Sequence, residues 1–118
     1  MLNRKEVHNS ETLNIQVDRH DQKSYLIELS KDCTKLDLNV ECLENSFSKF
    51  FILNHAESAC ELNINMVLKQ DANCQMGVLD LEKSPLKWNH YVDLKEQGAE
   101  YEILSGQLCQ EHIEKVCD

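Results

Sequence analysis

The chain has 118 residues, of which 42% are hydrophobic, 6% aromatic and 28% charged. This composition suits one globular domain and excludes global disorder. Twelve Lys and Arg against 21 Asp and Glu leave a net charge of −9 with no basic cluster, so nucleic acid and anionic membranes are excluded as main partners. No apolar run approaches the ~20 residues of a membrane helix. The start, Met1-Leu2-Asn3-Arg4-Lys5-Glu6-Val7-His8, lacks the apolar core of a secretory signal, and the expected location is cytoplasmic.

Residues 1–11 read as a flexible N-terminal arm. From there the chain repeats one pattern. Leu13, Ile15 and Val17 alternate with Asn14, Gln16 and Asp18, the period-two mark of a half-buried strand. Leu36, Leu38 and Val40 repeat it, then Leu62, Ile64 and Met66, then Trp88, His90 and Val92. Leu36, Leu62 and Trp88 are 26 apart, as are Leu38, Ile64 and His90; the first copy precedes the second by 23, from Leu13 to Leu36. A second set of apolar runs lies between them: Tyr25 to Leu29, Phe50 to Leu53, Met76 to Leu81 and Tyr101 to Leu104. In that set Leu26, Phe51, Met76 and Tyr101 are 25 apart. Self-similarity at this period marks a solenoid.

The expected fold is all-β, a parallel β-helix of about four coils with two short strands per coil, over residues 12–108. Antiparallel hairpins are the structural alternative. Only three glycines and one proline occur. Tight hairpins need such residues in their turns, whereas a stacked corner leans on the corner below it. Helix is plausible only over Glu41 to Phe51 and over Gln107 to Asp118, so 109–118 reads as a C-terminal tail with a short helix or a further strand.

Cysteines stand at 33, 42, 60, 74, 109 and 117. Without a secretory signal they are expected to be reduced, and without Cys-x-x-Cys no zinc ribbon or thioredoxin-like motif is indicated. Cys60 and Cys74 are expected in adjacent strands as fillers of the solenoid interior. Cys109, His112 and Cys117 form Cys-x2-His-x4-Cys, a donor set suited to Zn2+, or to an iron–sulfur cluster with help from another chain; with only three ligands, the preferred reading is a frayed tail with incidental residues. His90 falls in the apolar phase between Trp88 and Val92, as a core or subunit-contact histidine. His55 falls at an exposed corner. The carboxylates Asp37, Glu41, Glu57 and Asp93 fall in turns and outward phases, as a solvated face. No phosphate loop or catalytic constellation is legible in the spacing, which points to a non-enzymatic role.

The stretch Phe50-Phe51-Ile52-Leu53-Asn54-His55-Ala56-Glu57-Ser58-Ala59-Cys60-Glu61-Leu62-Asn63-Ile64 resembles the core repeat of the SufB/SufD family. Gln97-Gly98-Ala99-Glu100-Tyr101-Glu102-Ile103-Leu104-Ser105-Gly106 resembles that family's Gly-Ala-Glu-Tyr-Glu-Leu-x-Gly signature. The likeness covers about residues 25 to 108. It implies a right-handed parallel β-helix and a place in cytosolic iron–sulfur cluster assembly. It also implies pairing with a longer SufB/SufD-like protein or a second copy, and contact with an ATPase subunit of the same machine. Family members are several times longer, and their cluster-related Cys and His lie in later coils, so none transfers to a position here. A solenoid end must be capped or paired. The end near Leu104 and Leu108 is therefore the expected interface, with His90 in the same last coil. Two other roles fit the same residues: a metal- or cluster-binding protein using Cys109, His112 and Cys117, and a small β-helix enzyme with a His-lined pocket.

Overall fold

The computed structural model describes residues 2–80, 86–94 and 96–103, with 80, 86 and 88 described by their backbone alone. Nine strands run through these residues: β1 (Leu2–Val7), β2 (Ser10–Val17), β3 (Gln22–Leu29), β4 (Lys35–Cys42), β5 (Phe47–Asn54), β6 (Cys60–Leu68), β7 (Asn73–Asp80), β8 (Leu86–Asp93) and β9 (Glu100–Ile103). Odd strands form one sheet in the order β1-β3-β5-β7-β9, and even strands form the other, β2-β4-β6-β8. Every neighbouring pair is parallel. The chain is thus a parallel β-solenoid of about four turns, and the hairpin alternative is excluded. The described residues contain no helix.

Alternating side chains decide which face of each strand turns inward. In the even sheet Leu13–Leu38–Ile64–His90 form one inward column, flanked by Glu11–Leu36–Leu62 and Ile15–Val40–Met66–Val92, with the Trp88 backbone in register with Leu62. In the odd sheet Asn3–Tyr25–Phe50–Met76–Ile103 and Lys5–Ile27–Ile52–Val78 face them. Leu36, Leu38, Phe50, Ile52, Leu62 and Met66 are wholly buried. Burying each such side chain favours folding by about 1.5–3 kcal/mol. Stacking adds register-specific contacts: the Tyr25 and Phe50 rings lie 4.9 Å apart and 6° from parallel.

The corners explain the scarcity of glycine. Between an even strand and the next odd one, four turns close with N–H to C=O bonds from Asp21 to Asp18, Ser46 to Leu43, Ala72 to Lys69 and Ala99 to Glu96. The third residue of each turn has positive φ: His20 (61°), Asn45 (61°), Asp71 (58°) and Gly98 (80°). Asn, Asp and His are the non-glycine residues that tolerate this region best. The turns also lean on one another, because the amides of His20, Asn45 and Asp71 donate to the carbonyls of Glu44, Gln70 and Gln97 one coil on. At the last of these corners a side chain would displace that of Asp71. A Cβ on Gly98 would come within 1.9 Å of Asp71 Oδ1, so the glycine of the Gly98 to Gly106 stretch answers both a dihedral and a steric demand.

Four expectations are corrected. Residues 2–7 are not an arm but strand β1, paired along its length with β3 and tied to it by Arg4 to Glu28 at 2.8 Å and Asn3 Nδ2 to Ser24 O at 3.3 Å. Its alternation is hidden because the first coil has interior on one side only and places Asn3 and Lys5 there. Glu41 to Phe51 holds the end of β4, a turn and the start of β5, with Asn45 in the left-handed region that breaks a helix. Leu13 stands over Leu38, not Leu36, so the first step in the even sheet is 25 residues. In the odd sheet Phe51 lies over Leu26, but Met76 lies over Phe50 and Tyr101 over Cys74. The supposed 25-residue series therefore mixes outward and inward positions, since the longer corners of later coils lengthen the step.

Candidate functional site

Two polar pairs cross the interior from one sheet to the other, one in the first coil and one in the last described coil. In the first, Lys5 Nζ of β1 meets Glu11 Oε1 of β2 at 3.2 Å, both half-exposed at the solenoid's mouth. Glu11 Oε2 also accepts the His8 amide at 2.8 Å. That bond, with Lys5 beside it, lowers the Glu11 carboxyl below its ordinary range.

In the last described coil the Tyr101 hydroxyl of β9 hydrogen-bonds His90 Nε2 of β8, the rings meeting edge-on at 5.0 Å and 87°. His90 is 1% exposed. Burial pushes the Tyr101 phenol well above its ordinary range, with Cys74 and Cys42 adding in the same sense. The phenol thus keeps its proton beside the buried imidazole. Below Tyr101 in the odd sheet come Cys74 and Ser48. Cys42 reaches Ser48 from the other sheet, Sγ to Oγ 3.5 Å. Burial raises the Cys74 thiol strongly.

The buried thiols pair differently from the expectation. Cys60 lies in β6 of the even sheet and Cys74 in β7 of the odd sheet. Cys60 instead meets Cys33 of the coil before it, Sγ to Sγ 3.7 Å, and Cys74 belongs with Cys42 and Ser48. Composition alone could not give these partners, because they depend on corner length. The signal that finds them is the 27-residue step between Cys33 and Cys60, close to the solenoid's own period.

The two outer faces differ in kind. On the even sheet Asn65 donates to Asn39 and Asn39 to Asn14, at 3.0 and 3.1 Å, while Asn89 donates to Asn63 and Asn63 to Asp37, each at 2.8 Å. These amide ladders run one rung at a time and keep the face polar. On the odd sheet Phe51, Leu79 and Phe47 are 43%, 39% and 37% exposed, beside half-buried Leu26 and Leu53. The Phe51 ring lies across Gly77, whose Cβ would meet it at 2.9 Å.

His90 is therefore turned into the core. His55 stands half-exposed, its Nε2 3.5 Å from Glu28 Oε2. Leu104, Leu108, Cys109, His112 and Cys117 lie outside the described residues. Among the described residues no three His, Cys, Asp or Glu side chains are grouped so as to hold a metal ion, and no helix is long and apolar enough to cross a membrane.

Fold and interior define the class: a small parallel β-solenoid with a polar pair spanning its core in the first coil and in the last described one. No family model, curated protein or solved structure matches the chain.

Proposed function

We propose that the protein is a scaffold or accessory component of iron–sulfur cluster assembly, acting by association with a second copy or with a longer SufB/SufD-like protein. The observation that carries this reading is the place of the two resembling segments in the fold. Phe50 to Ile64 runs from within β5 through its corner into β6, a little over half a circuit, and Gly98 occupies a stacked corner at positive φ, close against Asp71. The apolar outer face around Phe51 and Leu79 gives association a second supporting feature, since exposed apolar patches mark interaction sites.

Co-expression with a SufB/SufD-like protein and its ATPase, followed by affinity capture and light scattering, tests the proposal. The expected outcome is a stoichiometric complex with the SufB/SufD-like protein or a homodimer. A monomer that captures neither protein would overturn it. Anaerobic reconstitution with iron and sulfide, read by visible absorption, separates this role from cluster binding through Cys109, His112 and Cys117. The scaffold reading expects no band beyond that of a variant lacking those three residues.

A further inference from the structure

The scaffold role leaves one chemical group unused, a pair of thiols stacked across two coils. Cys33 and Cys60 are 27 residues apart, 0% and 2% exposed, and their sulfurs are 3.7 Å from each other. One belongs to the corner that enters β4, the other opens β6, and β4 and β6 are neighbours in parallel register. The register steps by 26 residues, so Cys33 stands one residue off the position level with Cys60, yet the two sulfurs meet at 3.7 Å. A disulfide bond of about 2.05 Å requires them to close the remaining gap, which movement of the Cys33 corner supplies.

We propose that Cys33 and Cys60 are a redox modification site at which a small-molecule disulfide oxidant installs a bond between consecutive coils. Access comes through the corner. Lys31, Asp32 and Thr34 are exposed around Cys33, and the segment is held by short backbone bonds, Cys33 N to Ser30 O at 3.0 Å and Thr34 N to Asn9 O at 2.7 Å. Opening of such a corner costs less than separating the sheets. The Cys42 and Cys74 thiols also lie near turns, at 43–46 and 69–72, but Cys42 is in contact with Ser48 and not with Cys33 or Cys60.

The chemistry balances with oxidised glutathione. The Cys33 thiolate, its proton lost to water, attacks one sulfur of the oxidant and releases one glutathione thiolate. When the corner recloses, the Cys60 thiolate attacks the mixed disulfide at the Cys33 sulfur and releases the second glutathione. The protein loses two hydrogens, and one oxidised glutathione becomes two reduced ones. Burial raises the Cys33 thiol, so the reaction is slow in the closed corner and runs through the opened one.

The test treats the whole chain with oxidised glutathione, blocks residual thiols under denaturing conditions and maps the peptides. The expected product is a Cys33–Cys60 linked peptide. Denaturant titration of that product should show the unfolding equilibrium constant lowered roughly four-hundredfold, the scale for a loop of this length, and restored by reductant. In Cys60→Ser the expected species is a glutathione adduct retained on Cys33. In Cys42→Ser the Cys33–Cys60 link should form unchanged. If Cys33 and Cys60 are both found blocked as free thiols after treatment, or if Cys33 is linked to any other cysteine, the proposal fails. The peptide map of the unsubstituted chain decides the matter even where a variant does not fold.

Discussion

The first coil and the last described coil solve one geometric problem with opposite chemistry. Each sends a polar side chain across the interior from the odd sheet to the even one: Lys5 to Glu11 in the first, Tyr101 to His90 in the other. Lys5 is 47% exposed and lies 3.2 Å from the Glu11 carboxylate. His90 is 1% exposed and is met by a neutral phenol. The lesson concerns what lies beyond each pair. Inward-facing charges at a sheet end discourage another chain from continuing it. A phenol–imidazole pair packed into the interior continues the core.

That contrast can be broken in graded steps, with a middle rung as the reference. Ile64→Ala removes a wholly enclosed side chain between Leu38 and His90, and its cost should be the largest, about 2–5 kcal/mol by chemical denaturation. A cost below that of an exposed substitution would mean the column is not packed as described.

Tyr101→Phe keeps the ring and deletes the hydroxyl bonded to His90. At neutral pH it should cost about 1–3 kcal/mol. The pH arm has a definite sign. Because burial raises the Tyr101 phenol, the native chain keeps its proton when the unfolded chain loses it. The stabilising contribution is therefore present below pH 10 and declines above it. The unsubstituted protein should lose more stability above pH 10 than Tyr101→Phe does. Equal alkaline losses would show that the phenol is not sequestered.

The smallest energetic effect belongs to the first coil. Lys5→Leu combined with Glu11→Leu should change stability by about 1 kcal/mol or less, as exposed ion pairs contribute little. Association should nevertheless change, because the open mouth above Ile27 and Leu36 becomes apolar. Sedimentation velocity should show species larger than those of the unsubstituted chain. Identical profiles would mean that the charged pair does not guard this end.

How much of this was legible in the sequence follows from step length. Leu36, Leu62 and Trp88 could be aligned because the even sheet advances by a constant 26 residues between β4 and β8. The odd sheet advances by 25 from β3 to β5, by 26 to β7 and by 27 to β9. A one-residue error there exchanges inside for outside. A constant 25-residue step therefore groups Leu26 and Phe51 with Met76 and Tyr101, although the first two face out and the last two face in. His90 was recognisable as inward from its neighbours, yet its partner was not, because Tyr101 reaches it from the other sheet. Strand β1 was missed for a related reason: a terminal coil carries polar residues at inward positions, and alternation then leaves no trace. Cys33 and Cys60 were both readable as buried, but their closeness depends on how the corner folds.

The column of His20, Asn45, Asp71 and Gly98 has a consequence for how such a chain can change its size. Each bend is stabilised by the next, so material added within a bend would have to be accommodated by the bends above and below it, whereas a whole circuit spliced in at that column would meet ready-made neighbours on both sides. Growth and shrinkage are thereby quantised: the molecule tolerates lengthening in full revolutions far better than in single residues.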